Sequence, residues 1–295
     1  MNVGSDPARS IDEGLLRAWP LPRLEPGADK QARGDVLVVG GSRQIPGSVR
    51  LAATAALHAG AGRVQIATAR SAAVPLAVAF PEARVIGLEE DENGELLPRA
   101  CPALDSELRA CRALLVGPGM YEEAMSADLV RRYAELGEGV LVMDAAALRA
   151  FAGRASLPGA ERGVIVTPHA GEMATMWGCS REQVLQDPWG LSREAARAWN
   201  AVVVLKGAQT LISAPDGSTF RNTAGNSGLA TAGSGDVLAG LLAGLAARGA
   251  TALQAAVWGV HLHAKAGEML AASSGPLGYL ARDLSAQVPR LMAQT

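Results

Sequence analysis

Along the chain, short runs rich in Val and Ile alternate with longer stretches rich in Ala and Leu, and this alternation most constrains the fold. Short apolar runs are typical of strands buried on both faces, as in a parallel sheet covered by helices. The longer stretches have high helix propensity and suit crossover connections. We therefore predict a mostly parallel α/β fold. The predicted strands are residues 36–39, 63–67, 84–87, 113–116, 140–143, 164–166 and 202–205. The predicted helices are residues 49–59, 124–136, 191–199, 237–247 and 253–272.

One segment departs from this alternation. Residues 210–213 and 218–222 flank Ala214-Pro215-Asp216-Gly217, which is a turn sequence. A turn between two such runs predicts an antiparallel hairpin at the edge of the sheet. No composition break divides the chain, so we expect one domain over residues 1–295, with residues 1–34 as an N-terminal arm leading to the first strand.

Composition narrows the possible partners. The 295 residues carry 27 Lys and Arg against 29 Asp and Glu, a balance that does not favour nucleic-acid binding. No apolar run approaches the roughly 20 residues of a membrane span, and the first residues lack the apolar core of a signal peptide. The 3 cysteines form no C-x-x-C pair, which fits a reducing compartment. We expect a cytoplasmic protein that binds neither nucleic acid nor membranes.

The glycine-rich segment 222–236 runs directly into a predicted helix and carries the strongest chemical signal. Its glycines include Gly225, Gly228, Gly233 and Gly235, and the segment ends at Asp236. Such a loop before a helix presents free backbone N–H groups and the positive end of the helix dipole, an arrangement that binds phosphate. Asp236 in the first turn is then placed to take a proton from a hydroxyl. For an isolated Gly-Asp pair, simple helix capping is the alternative interpretation.

Other candidates stand at the carboxyl ends of predicted strands, where ligands of parallel sheets collect. Lys206 ends one strand and would reach a phosphate or a ribose, or else point to solvent. His169 follows Pro168 in a turn and would either contact a ligand or cap the next helix. Asp144 would contact a metal or nucleotide, or cap a helix. The Gly-Pro-Gly-Met turn at 117–120 should border the same cleft.

Three common site types do not fit the spacing. The segment 40–47 lacks the spacing and the lysine of a phosphate-binding P-loop. The segment 233–238 lacks the third glycine of a dinucleotide fingerprint. His261 and His263 are two positions apart on a predicted helix, so they face different directions and cannot share a metal ion.

With these motifs in place, the chain resembles the ADP-dependent NAD(P)H-hydrate dehydratase family of the ribokinase-like superfamily. The resemblance rests on an ordered set of motifs at residues 19–22, 38–42, 56–62, 116–119, 167–172 and 225–240. It implies a three-layer αβα sandwich with an antiparallel edge hairpin. Ser48 stands where family members usually have Ala, while Tyr121 and Ala232 each replace a glycine of a family motif.

The resemblance implies a repair reaction. The S-form hydrates of NADH and NADPH, NADHX and NADPHX, would be dehydrated with ADP as co-substrate, releasing AMP and phosphate. Asp236 would be the catalytic base. Mg²⁺ would bind with ADP, and Asp144 and Glu172 are candidate ligands. The remaining implied substrate-binding residues are Ser48, Gly119 and His169. The implied nucleotide-binding residues are Lys206, Gly207, Ala208, Gln209, Thr210 and Gly235.

The resemblance also implies partners: a homo-oligomer, such as a homotetramer, and a separate NAD(P)H-hydrate epimerase, since we expect no room for an epimerase domain before the first strand. Two other functions fit the same residues. An ATP-dependent kinase of a small alcohol, such as a thiazole or hydroxymethylpyrimidine precursor, would use the same loop and Asp236 but leave phosphate on its product. A nucleotide-sensing module would bind ADP without turnover.

Overall fold

One ten-stranded sheet runs through the part of the chain that the computed structural model describes, residues 8–23, 27 and 29–294. The strand order is β1-β10-β9-β8-β7-β6-β5-β2-β3-β4. Adjacent strands pair in parallel except that β9 is antiparallel to both of its neighbours. The strands are β1 (Arg9–Ser10), β2 (Asp35–Val39), β3 (Arg63–Ala69), β4 (Arg84–Leu88), β5 (Ala113–Val116), β6 (Val140–Met143), β7 (Val164–Val166), β8 (Val202–Leu205), β9 (Thr210–Ser213) and β10 (Thr219–Asn222).

Helices cover both faces of this sheet. The α-helices are α1 (Glu13–Ala18), α2 (Gly47–His58), α3 (Arg70–Ala79), α4 (Asp105–Ala110), α5 (Glu123–Leu136), α6 (Ala146–Arg149), α7 (Ala170–Trp177), α8 (Arg181–Gln186), α9 (Pro188–Trp199), α10 (Ser234–Ala247), α11 (Ala252–Ser274), α12 (Ala281–Ser285) and α13 (Val288–Gln294). Short 3₁₀ turns lie at Pro98–Leu104, Ala160–Arg162 and Ser227–Leu229.

Strand β2 shows how the two cores form. Its side chains alternate between faces, so Val36 and Val38 join a core with helices α2, α10 and α11. Leu37 and Val39 join the opposite core with helices α5, α6, α7 and α9. Two helical layers with a buried sheet between them make the three-layer αβα sandwich that the family resemblance implies.

Helices α2 and α10 approach each other closely because glycines line their contact. A methyl group on Gly240 would lie 2.1 Å from the carbonyl oxygen of Ala52, and one on Gly244 would lie 2.5 Å from that of Ala56. No larger side chain fits at either glycine without separating the helices. This contact fixes where helix α10 begins relative to α2.

The predicted elements agree closely with the structure. All seven predicted parallel strands are present, with bounds shifted by at most two residues, and the five predicted helices shift by at most three. The predicted hairpin is formed by β9 and β10, which pair antiparallel around the turn at 214–217. Among the helices of the described residues, none combines the length and apolar character needed to cross a bilayer.

The N-terminal arm has more structure than the sequence predicts. Strand β1 pairs with β10 and so lies outside the hairpin. Helix α1 follows, with Asp12 as its N-cap. Beyond it, the backbone is held by Trp258 Nε1, which donates to Trp19 O at 2.9 Å, and by Gln254 Nε2, which donates to Pro20 O at 2.9 Å. The arm therefore covers the edge that the hairpin would otherwise expose.

Candidate active site

The first turn of helix α10 offers free backbone donors at the carboxyl edge of the sheet. Gly233 adopts φ +85° and lets the chain turn into the helix. The N–H of Ser234 donates to Thr231 O and that of Val237 to Gly233 O. The N–H groups of Gly235 and Asp236 have no acceptor among the described residues. Two free amides at a helix N-terminus have the geometry that suits an anion, and we call this turn the anion site.

Asp236 lies in the same turn and has an altered acidity. Burial and the nearby carboxylate of Asp144 raise the pKa of Asp236 to about 6, against a smaller lowering by a hydrogen bond from Ser48 and by the charge of Lys206. At neutral pH the carboxylate is mostly ionised, with a pKa close to the working range of a general base. Asp236 can therefore accept a proton beside the anion site.

Lys206 brings positive charge to this site. The chain places it beside His169, because the backbone N–H of Lys206 donates to Pro168 O at 2.8 Å and the two residues form a parallel bridge. Its Nζ lies 3.0 Å from Asp144 Oδ1 and 3.8 Å from Glu172 Oε2. Burial lowers the pKa of Lys206, but the two carboxylates outweigh burial and leave the pKa above its ordinary value. The ammonium group therefore stays charged.

Asp144 is held rigidly at the end of strand β6. Thr167 Oγ1 donates to Asp144 Oδ1 at 2.6 Å, and the carboxylate side chain is only 5% exposed. The next residue, Ala145, has φ +48° and ψ −118°. A residue other than glycine adopts these backbone angles only under strain. A methyl group on Gly117 would lie 1.8 Å from Asp144 O, so the turn at 117–120 packs directly on this backbone.

Ser48 and Gly119 meet beside Asp236. Ser48 lies in the first turn of helix α2 and hydrogen bonds to Asp236. A methyl group on Gly119 would lie 2.9 Å from Ser48 Cβ and 2.7 Å from Ile45 O. The fold thus brings together three of the residues that the sequence assigns to substrate binding.

His169 has the capping role that the sequence left open. Its Nδ1 accepts from the N–H groups of Gly171 at 3.0 Å and Glu172 at 3.1 Å, while Glu172 Oε2 accepts from the N–H of His169 at 2.8 Å. This reciprocal pair caps helix α7. The ring is nevertheless 60% exposed, and it lies beside Lys206 at the same edge of the sheet. Capping uses Nδ1 and leaves much of the ring exposed to solvent, where a ligand can reach it.

The remaining predicted nucleotide-binding residues form the turn between β8 and β9. Gly207, Ala208 and Gln209 are exposed there, and Thr210 begins β9 directly opposite Asn222. Asn222 leads into the glycine-rich segment. The turn and the anion site therefore lie at the same end of the sheet.

The two candidate magnesium ligands differ in what already occupies their oxygens. Glu172 Oε2 accepts from the backbone of His169 and lies near Lys206, so it is committed to the cap. Asp144 uses Oδ1 for Thr167 and Lys206, while its Oδ2 lies 3.8 Å from where a methyl group on Gly235 would be. Among the described residues no group of three or more His, Cys, Asp or Glu could hold a metal. Asp144 alone fits a Mg²⁺ ion bound mainly through phosphates and water.

This geometry agrees with the comparisons to known proteins. A sequence model described as NAD(P)H-hydrate dehydratase matches residues 36–290. The chain belongs to the NAD(P)H-hydrate dehydratase family. A Xanthomonas campestris relative, named ADP-dependent (S)-NAD(P)H-hydrate dehydratase, is 46% identical over 96% of both chains.

Longer relatives and solved structures belong to the same family as the sequence model that matches this chain. A Moorella thermoacetica relative, named bifunctional NAD(P)H-hydrate repair enzyme, is 39% identical over 94% of this chain, which spans only 53% of that relative. The Bacillus subtilis ADP/ATP-dependent NAD(P)H-hydrate dehydratase, co-crystallised with ATP and Mg²⁺, has a TM-score of 0.80 at 27% identity and covers 97% of this chain and 98% of its own. Structure and sequence therefore assign the same family.

Two residues of this region were not predicted from the sequence. Thr167, within the motif 167–172, holds Asp144. His263 on helix α11 contacts Ser234 at the start of helix α10. Neither had a local signal, because each acts on a residue far away in the chain and only the fold brings the partners together.

Proposed function

We propose that this chain is an ADP-dependent NAD(P)H-hydrate dehydratase, which restores NADH and NADPH from their S-form hydrates and releases AMP and phosphate. The observation that carries the proposal is the pairing of free amides at Gly235 and Asp236 with the carboxylate of Asp236 itself. One turn of helix thus offers both a phosphate cradle and a base. Family membership supplies the substrate class.

In the first step, the hydroxyl oxygen of the hydrate attacks the terminal phosphorus of ADP. Asp236 accepts the hydroxyl proton, the new phosphorus–oxygen bond forms, and the bond to the bridging oxygen breaks to release AMP. The amides of the α10 first turn and the ammonium of Lys206 stabilise negative charge on the phosphate oxygens. The pKa of Asp236, raised to about 6, suits a base that works near neutral pH.

The second step is elimination. Hydroxide is a poor leaving group, whereas the attached phosphate leaves readily. The lone pair of the ring nitrogen expels phosphate. The departing phosphate then takes a proton from the neighbouring ring carbon, which restores the double bond of the dihydronicotinamide. We assign the contacts with the hydrate to Ser48, Gly119 and His169.

The nucleotide has a separate set of contacts in this proposal. We assign its contacts to Lys206, to the turn at 207–209, to Thr210 and to Gly235. When bound, Mg²⁺ would neutralise charge on the ADP phosphates. We assign its protein contact to Asp144 Oδ2, since Oδ1 is already bonded to Thr167 and Lys206. The charge of Lys206, fixed by Asp144 and Glu172, then orients the phosphates toward the amides.

We further propose that the chain acts as one domain in the cytoplasm, as a homo-oligomer such as a homotetramer. The bifunctional relatives are about twice as long as the part that matches this chain. Their name combines repair activities in one protein, and we propose that a separate epimerase supplies the S-form hydrate here.

The decisive assay follows absorbance at 340 nm with chemically hydrated NADH, Mg²⁺ and either ADP or ATP, and measures AMP and phosphate at the end. Recovery with ADP, matched by AMP and phosphate, supports the proposal. Asp236→Asn should lower turnover by about 10²- to 10⁴-fold, because the general base is lost. Phosphate retained on a small alcohol would instead identify a kinase. ADP binding without any turnover would identify a nucleotide sensor.

A further inference from the structure

A histidine of helix α11, His263, contacts the start of helix α10. Its Nε2 lies 3.0 Å from Ser234 Oγ and 3.1 Å from the carbonyl oxygen of Ser234. Burial lowers the pKa of His263 to about 4, so the ring is neutral at physiological pH. Neither the proposed mechanism nor the predicted site uses this residue.

The carbonyl contact decides which ring nitrogen carries the proton. A carbonyl oxygen only accepts hydrogen bonds, so a neutral imidazole nitrogen at 3.1 Å from it must be the N–H donor. Nε2 is therefore protonated and Nδ1 is not. The same N–H also lies within hydrogen-bonding distance of Ser234 Oγ.

The consequence lies at the other end of the same peptide unit. The carbonyl of Ser234 and the N–H of Gly235 belong to one planar trans peptide and point in opposite directions. Holding the Ser234 carbonyl against His263 therefore holds the Gly235 N–H pointing away from that ring. Gly235 itself lies beside the charged groups of the site, because a methyl group on it would lie 3.6 Å from Lys206 Nζ and 3.8 Å from Asp144 Oδ2. A hydrogen bond to the carbonyl also polarises the peptide and strengthens the N–H as a donor.

We propose that His263 is a positioning residue that aims the Gly235 N–H at the terminal phosphate of ADP, an inference that rests on the proposed function for its ligand. The phosphate binds to the amide, and His263 itself touches neither substrate. Loss of the histidine N–H should therefore weaken ADP binding and leave hydrate binding unchanged.

The test compares two substitutions of similar size that differ in one donor. His263→Gln keeps an N–H near the position of Nε2, whereas His263→Met fills the space without one. We expect the Met variant to bind ADP about 10- to 100-fold more weakly by titration calorimetry, the effect of misaligning one hydrogen bond to a charged group. The Gln variant should bind within a few-fold of the original protein. The KM for hydrated NADH should stay the same in both.

His261→Met is the matched control, because His261 is a buried histidine of the same helix, 5% exposed. It lies beside Thr223 and Lys265, and within the described residues no hydrogen bond joins its ring to the α10 first turn. Equal ADP binding by the Gln and Met variants of His263 would overturn the proposal. So would a comparable loss of ADP binding in the His261 variant, or an equal loss for ADP and hydrate.

A second test uses the unmodified protein and therefore does not depend on whether a variant folds. Long-range ¹H–¹⁵N NMR identifies the protonated ring nitrogen, and a proton on Nδ1 of His263 would contradict the proposal. If the protein binds ADP as described but does not dehydrate hydrated NADH, the proposed function fails while the ADP titrations still decide the role of His263.

Discussion

Replacing Ser48 with alanine should move the pH dependence of the reaction upward. The hydrogen bond from Ser48 lowers the pKa of Asp236, which burial and Asp144 raise to about 6. Hydrogen bonds to charged groups are worth about 1.5–3 kcal/mol, and 1.36 kcal/mol changes proton affinity tenfold. Taking the lower end, loss of this bond makes Asp236 about tenfold harder to ionise.

The effect on rate follows from the ionised fraction of the base. At pH 6 this fraction falls from about one half to about one tenth, so kcat/KM should fall roughly fivefold. At pH 8 the carboxylate is ionised in both proteins, and the loss should be about a tenth. The assay is the 340 nm recovery of hydrated NADH with saturating ADP, measured from pH 5 to pH 9.

Thr54→Ala is the control, because Thr54 lies on the same helix and its hydroxyl donates to Arg50 O at 2.8 Å, away from the site. It should leave the profile unchanged. An inflection that stays in place or moves to lower pH in Ser48→Ala would refute the hydrogen bond to Asp236. A loss of equal size at every pH would mean that Ser48 acts on substrate binding alone.

Three further predictions concern stability. Lys206→Met removes the cation between the buried carboxylate of Asp144 and the half-buried one of Glu172 and should cost about 3–5 kcal/mol in urea unfolding. Arg17→Met, from an exposed pair with Glu13, should cost about 1 kcal/mol or less, and equal costs would contradict the burial argument. Gly117→Ala should lower Tm far more than Gly153→Ala, because only the first methyl group meets backbone, at 1.8 Å; similar Tm values would count against that packing. Asp236→Asn should stabilise the protein above pH 6 by up to about 3 kcal/mol. Because the pKa of Asp236 is higher in the folded state, this gain should disappear as pH falls from 6 to 4, and a gain that persists at pH 4 would have another origin.

The sequence predicted the sheet well because most strands are buried on both faces and contain mainly Val, Ile and Leu, a pattern that needs no partner to be recognised. Strand β1 escaped prediction for the opposite reason. Its two residues, Arg9 and Ser10, are exposed and have no periodicity, and only the register of β10 makes them a strand. Helix α3 also escaped, because Pro75 lies inside it.

For the site, the motifs located Asp236, Lys206 and His169 because each follows a strand or a glycine-rich loop. The motifs did not show how these groups act on each other. The raised pKa of Asp236 depends on burial and on Asp144, which is 92 positions earlier in the chain, and the lowered pKa of His263 depends on burial. Such effects come from distance and dielectric environment, which a linear pattern does not contain.

The position of strand β1 also sets the order in which the protein can be completed during synthesis. Arg9 pairs with Phe220, so strand β1 is synthesised first but its partner strand follows more than 200 residues later. At about 5 to 20 residues per second, that wait is roughly 10 to 40 s on the ribosome. The glycine-rich loop and helix α10 emerge later still, after all ten strands of the sheet. The nascent chain therefore holds most of its sheet before it has any phosphate site, and catalytic competence is among the last properties that it acquires.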